Sequence, residues 1–92
     1  MWRVLESHDA EKSLAKAPID VLRKFDAWRA VVQQSGPSGL RAVKGFHDEA
    51  LAGRWDGYRS SRLGLRWRVI YHVQDDEVVV YVVRVAAHDY RR

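Results

Sequence analysis

Ninety-two residues are enough for one compact domain and too few for large cofactor-binding folds. Cysteine is absent, which removes disulfides, thiol catalysis and cysteine-based zinc sites, and no apolar run approaches the roughly 20 residues of a membrane helix. Sixteen Lys and Arg against twelve Asp and Glu give a net charge of +4, a balance that suits an anionic partner.

The start, Met1-Trp2-Arg3-Val4, carries no secretory signal pattern, so a cytoplasmic protein without membrane contact is expected. Residues 1–6 alternate weakly and predict a first strand. Ser7 offers an N-cap ahead of the Ala/Lys/Glu-rich segment His8 to Lys16, which reads as a short helix. Pro18 suits the first turn of a second helix, where Val21, Phe25, Trp28 and Val32 fall on one face and predict core. That helix is expected to stop near Gln34, because Ser35-Gly36-Pro37-Ser38-Gly39 gathers turn-forming residues.

Between Leu40 and Asp56 no period is sustained, so a structured loop with at most a short strand is expected. Three strands follow, at Tyr58 to Leu63, Trp67 to Val73 and Val78 to Ala86. Gln74-Asp75-Asp76-Glu77 makes the polar connection between the last two. Alternation places Trp67, Val69, Tyr71 and Val73 on one face and Arg68, Ile70 and His72 on the other, and it puts Arg84, Ala86 and His88 in phase. The order predicts an α+β fold, two N-terminal helices on one face of a small antiparallel β-sheet, in a single domain spanning 1–92.

From Gly57 to Gln74 there is no acid, while Arg59, Arg62, Arg66, Arg68 and His72 are all present; this is the candidate anion-binding surface. Metal-free RNA cleavage needs a base for the 2′-hydroxyl, cations for the growing charge and an acid for the leaving 5′-oxygen. His88, beside Asp89 and Tyr90, has an imidazole suited to proton transfer, although an isolated terminal His is often inert. Arg68 stands in an apolar strand and either binds phosphate or forms a structural pair with Asp26 or Glu6. Glu49, between the apolar anchors Phe46 and Leu51, is either a fixed base or a solvated loop carboxylate. Trp55, Tyr58 and Tyr90 either stack on unpaired bases or, for Trp55, cover an apolar edge, whereas Tyr71 and Trp28 read as core. No two histidines have ligand-like spacing, so neither a metal nor another cofactor is expected.

Asp48-Glu49-Ala50-Leu51, Gly57-Tyr58-Arg59-Ser60-Ser61-Arg62-Leu63, Trp67-Arg68-Val69-Ile70-Tyr71 and Val85-Ala86-Ala87-His88-Asp89-Tyr90, in that order, resemble the RelE/ParE toxin superfamily. The resemblance to its ribonuclease branch implies a toxin of a type II toxin–antitoxin system that cuts messenger RNA on the ribosome. It implies Glu49 as general base, Arg68 as transition-state clamp, His88 as acid or base and Tyr90 as stacking or positioning group. Lys44, Arg59, Arg62 and Arg84 would hold the RNA backbone. It also implies a cognate antitoxin that covers the basic face, with DNA contacted only through that antitoxin. Here the tail reads His88-Asp89-Tyr90, with an acid between histidine and aromatic. Two alternatives share the same fold. One is an inhibitor of DNA gyrase, which needs no acid/base residues; the other is a nucleic-acid-binding module that neutralises phosphate without cleavage.

Overall fold

The computed structural model describes residues 2–84, with side chains to residue 80. The elements run β1 (Arg3–Glu6), α1 (His8–Ala15), α2 (Ile19–Ser35), β2 (Glu49–Ala50), β3 (Arg59–Arg62), β4 (Trp67–Gln74) and β5 (Glu77–Arg84). Three 3₁₀ turns, Pro37–Ala42, Lys44–Phe46 and Gly53–Trp55, occupy the stretch in which the sequence has no period.

Local chemistry sets the boundaries. The Ser7 hydroxyl accepts the Ala10 N–H at 3.1 Å and caps α1, as the sequence predicts. Pro18, lacking an N–H to satisfy, stands at the start of α2. At the other end Gly36, at φ +76°, carries the chain out of α2 and into the first 3₁₀ turn. Asp75, also in the left-handed region at φ 57°, turns β4 back into β5.

The five strands are ordered β1-β5-β4-β3-β2. β2–β3, β3–β4 and β4–β5 pair antiparallel, but β1 lies parallel to β5, with Arg3 opposite Glu77 and Glu6 opposite Val80. The small antiparallel sheet expected from the sequence is borne out over β2 to β5, and β1 adds a parallel strand at its edge. The two helices between β1 and the rest of the sheet provide the crossover that a parallel pair requires. Between β4 and β5 the register slips, so that Arg68 and Val69 fall between the pairs Trp67–Arg84 and Ile70–Val82.

The helices cover one face of the sheet. Val21, Phe25, Trp28 and Val32 of α2 are buried there with Ala10, Leu40, Phe46, Leu63, Val69, Tyr71, Val78 and Val80. Phe25 stacks on Trp28 with ring centroids 5.5 Å apart, and Trp28 meets Tyr71 edge-on at 5.3 Å. Arg29, placed over the Phe25 ring, pairs with Glu6 and ties α2 to β1. No helix among the described residues is long and apolar enough to cross a membrane.

Candidate functional site

The site begins with a buried carboxylate. His47 adopts the left-handed conformation (φ 47°) at the end of the second 3₁₀ turn, and the next residue, Asp48, has a side chain with no solvent exposure. Its Oδ1 accepts the Arg59 Nε at 2.8 Å and the Arg59 terminal nitrogen at 2.7 Å; Oδ2 accepts the Ser61 hydroxyl at 2.6 Å and the Tyr71 hydroxyl. Ser61 in turn accepts the Trp28 indole N–H at 3.0 Å, so the network reaches from the loop across β3 and β4 into α2. A buried charge with this many donors is satisfied, and each donor is fixed in direction. Burial, followed by the bond to and charge of Asp48, pushes the Tyr71 hydroxyl well above its ordinary value. Burial opposes the charge of Arg59, but Asp48 outweighs it and holds the guanidinium above its usual range.

Asp48 leads directly into β2, a two-residue edge strand whose partner is β3. Glu49 lies opposite Ser60, and Ser60 lies opposite Ile70, so all three share the sheet face turned away from the helices. Arg62 lies opposite Arg68 on the same face, one row along, and the Arg68 guanidinium donates to the Ser60 hydroxyl at 3.4 Å. Ser60 is thus the shared neighbour of Glu49 and Arg68: it is the cross-strand partner of the first and accepts from the second. In the next row Tyr58 meets His72 with ring centroids 5.3 Å apart, and Trp55 meets Tyr58 at the same distance. The face therefore runs from paired guanidiniums, through a carboxylate, to an aromatic cluster.

The sequence-predicted residues separate by face. Glu49, Arg62 and Arg68 come together as described. Lys44 is exposed on the second 3₁₀ turn. Arg59 lies on the helix side, with its guanidinium on Asp48 rather than on the face that carries Arg62 and Arg68. Arg84 ends β5 opposite Trp67. His88 and Tyr90 lie outside the described residues. Arg68 donates to Ser60, and Glu6 pairs with Arg29. Sequence reasoning missed Asp48: three ionisable residues stand between Phe46 and Leu51, and the left-handed backbone of His47, rather than any local pattern, precedes the one that turns inward. It also left Arg59 with Arg62, although a strand's period of two separates them. Among the described residues no cluster of three His, Asp or Glu could hold a metal ion.

Beside the site, Lys24 and Ala27 of α2, Val43, Phe46, Arg62, Leu63 and Leu65 line an apolar groove of about 520 Å³. Leu65 is 99% exposed at its lip.

The architecture of two helices on one face of a five-stranded sheet recurs in solved structures of small toxins. YafQ from E. coli strain BL21(DE3) superposes with a TM-score of 0.76 at 17% identity, covering 98% of this chain and 99% of that chain. The toxin of the heterotetrameric YoeB-YefM toxin-antitoxin complex from Staphylococcus aureus gives 0.72 at 18% identity, covering 92% and 97%. The archaeal RelE-RelB complex from Pyrococcus horikoshii OT3 gives 0.70 at 26% identity, covering 90% and 92%. No curated protein matches by sequence. Residues 7–90 match the family described as ParE toxin of type II toxin-antitoxin system, parDE. The chain belongs to this family, within the RelE/ParE toxin superfamily, and is a toxin of a type II toxin–antitoxin system.

Proposed function

We propose that this toxin is a metal-independent endoribonuclease that cuts messenger RNA on the ribosome and so arrests translation in the cytoplasm. The observation that carries the reading is the placement of Glu49 and Arg68 about Ser60 on the sheet face turned away from the helices, with Arg62 beside them. A gyrase inhibitor or a passive phosphate-binding module has no need of a carboxylate among guanidiniums; a cyclising nuclease does.

In this mechanism the Glu49 carboxylate takes the proton of the 2′-hydroxyl as that oxygen attacks the adjacent phosphorus. The Arg68 guanidinium, fixed by Ser60, neutralises the charge that builds on the phosphoryl oxygens, in two-point contact. The bond to the 5′-oxygen breaks, a 2′,3′-cyclic phosphate remains, and His88 supplies the proton that the leaving oxygen takes. Tyr90 positions or stacks the scissile nucleotide. Lys44, Arg62 and Arg84 hold the flanking backbone, while Arg59 serves through Asp48, which anchors β2.

YoeB and RelE are named in complexes with YefM and RelB, and we infer an antitoxin partner for this toxin as well. The apolar groove rimmed by Lys24 and Arg62 suits an acidic, amphipathic segment of such a protein. DNA would be reached only through that antitoxin.

The test is to induce the toxin, beside Glu49→Gln and His88→Ala forms, and to map new 5′ ends on translated and untranslated messages. Cuts within translated messages are expected, reduced by about a hundredfold or more in each variant. Growth arrest without new ends, together with blocked supercoiling by purified gyrase, would replace the nuclease with the gyrase-inhibitor reading.

A further inference from the structure

Trp55, Tyr58 and His72 form a cluster to which no step of the proposed cleavage assigns a task. Each ring is half-buried. Tyr58 is central, with Trp55 on it at 80° and His72 at 62°, both with centroids 5.3 Å away. Tyr58 immediately precedes β3 and His72 stands on β4, while Trp55 belongs to a 3₁₀ turn tied back by the Tyr58 N–H bonded to the Trp55 carbonyl at 2.9 Å. The rings therefore hold one another in place before any ligand arrives, which lowers the ordering cost of binding.

The geometry points to a nucleobase site at this cluster, taking one unpaired base of single-stranded RNA by stacking. This inference rests on the proposed reading of the same sheet face as an RNA-cleavage site. The pairing register fixes where the base belongs. Arg62 and Arg68 form one row, Glu49, Ser60 and Ile70 the next, and Tyr58 and His72 the third. Two residues along a strand advance about 7 Å, so the ring row stands about 14 Å from the Arg62–Arg68 row and about 7 Å from Ser60, to which the Arg68 guanidinium reaches. The shorter distance is roughly two steps of a stacked strand at 3.4 Å each, and fewer when the strand is splayed. The cluster consequently takes a base flanking the scissile nucleotide, and cleavage inherits a preference for what occupies that position. A platform of π-faces tolerates every base but favours the larger purines, and it contributes nothing to a phosphate that lacks its base.

Binding of a hexaribonucleotide and of an abasic hexamer with the same phosphates, both to the full chain carrying Glu49→Gln, tests the site. Intact RNA should bind about tenfold tighter than the abasic strand. Trp55→Ala and Tyr58→Leu should erase that ratio, Tyr58→Phe should keep it, and Arg62→Ala should weaken both ligands equally. Equal binding of the two hexamers by the parent, or a ratio preserved in Trp55→Ala and Tyr58→Leu, overturns the site. A ratio that behaves as expected in a toxin that cuts no message leaves the base site standing and removes the nuclease.

Discussion

A single buried carboxylate organises this molecule more than any residue of the opposite sheet face. Asp48 draws Arg59, Ser61 and Tyr71 to one point and, through Ser61, Trp28 as well. Truncation as Asp48→Ala leaves a guanidinium and two hydroxyls without their acceptor. Because the Arg59 side chain keeps 22% of its exposure, water can recover part of the loss, and a decrease of about 3 kcal/mol is expected in the denaturant midpoint analysis. A loss below about 1 kcal/mol would show that the network is ornamental to stability. Tyr71 makes a second prediction. Its folded hydroxyl titrates above the ordinary value near 10, so the folded state keeps a proton that the unfolded state gives up. Its contribution is complete below about pH 10 and is lost as pH rises towards the raised folded value. Unfolding curves at roughly pH 8 and pH 11 should therefore show an alkaline loss that Tyr71→Phe makes shallower, and parallel slopes in the two proteins would refute the assignment.

Elements were legible in the sequence where a local rule decides them. The Ser7 cap, the apolar spacing of α2 and the Asp75-Asp76 turn each leave a signature within a few residues, and all three appear in the structure. β2 left none, since two residues have no period, and the inward turn of Asp48 depends on the unusual backbone of His47. The parallel pairing of β1 with β5 was equally invisible, because it joins residues from opposite ends of the described chain. The exit from α2 offers a sharp test at this scale. A Cβ at Gly36 would lie 2.6 Å from the Trp2 indole nitrogen, on a backbone at φ +76°. Gly36→Ala therefore combines strain with a clash against a ring packed on the core, and a loss of about 2 kcal/mol is expected from thermal or urea unfolding. Unchanged stability would mean that Trp2 swings away at no cost.

At the scale of the whole molecule, the two faces of the sheet divide the labour. The helix side carries the apolar core and hides the Asp48 network, while the other side gathers Glu49, Arg62, Arg68 and the aromatic cluster. The sequence disclosed which residue types were present, and alternation disclosed most of their faces; which carboxylate was buried and which Arg was spent on it depended on register. Among the described residues β1 has one strand neighbour, β5, and β5 is the last of the described strands to be made. During synthesis the amino-terminal strand and both helices consequently emerge long before the partner that completes their sheet exists. A nascent chain cannot close this architecture until β5 has cleared the exit tunnel, so a toxin built this way has no complete sheet to act through until its first strand meets a partner made about seventy residues later.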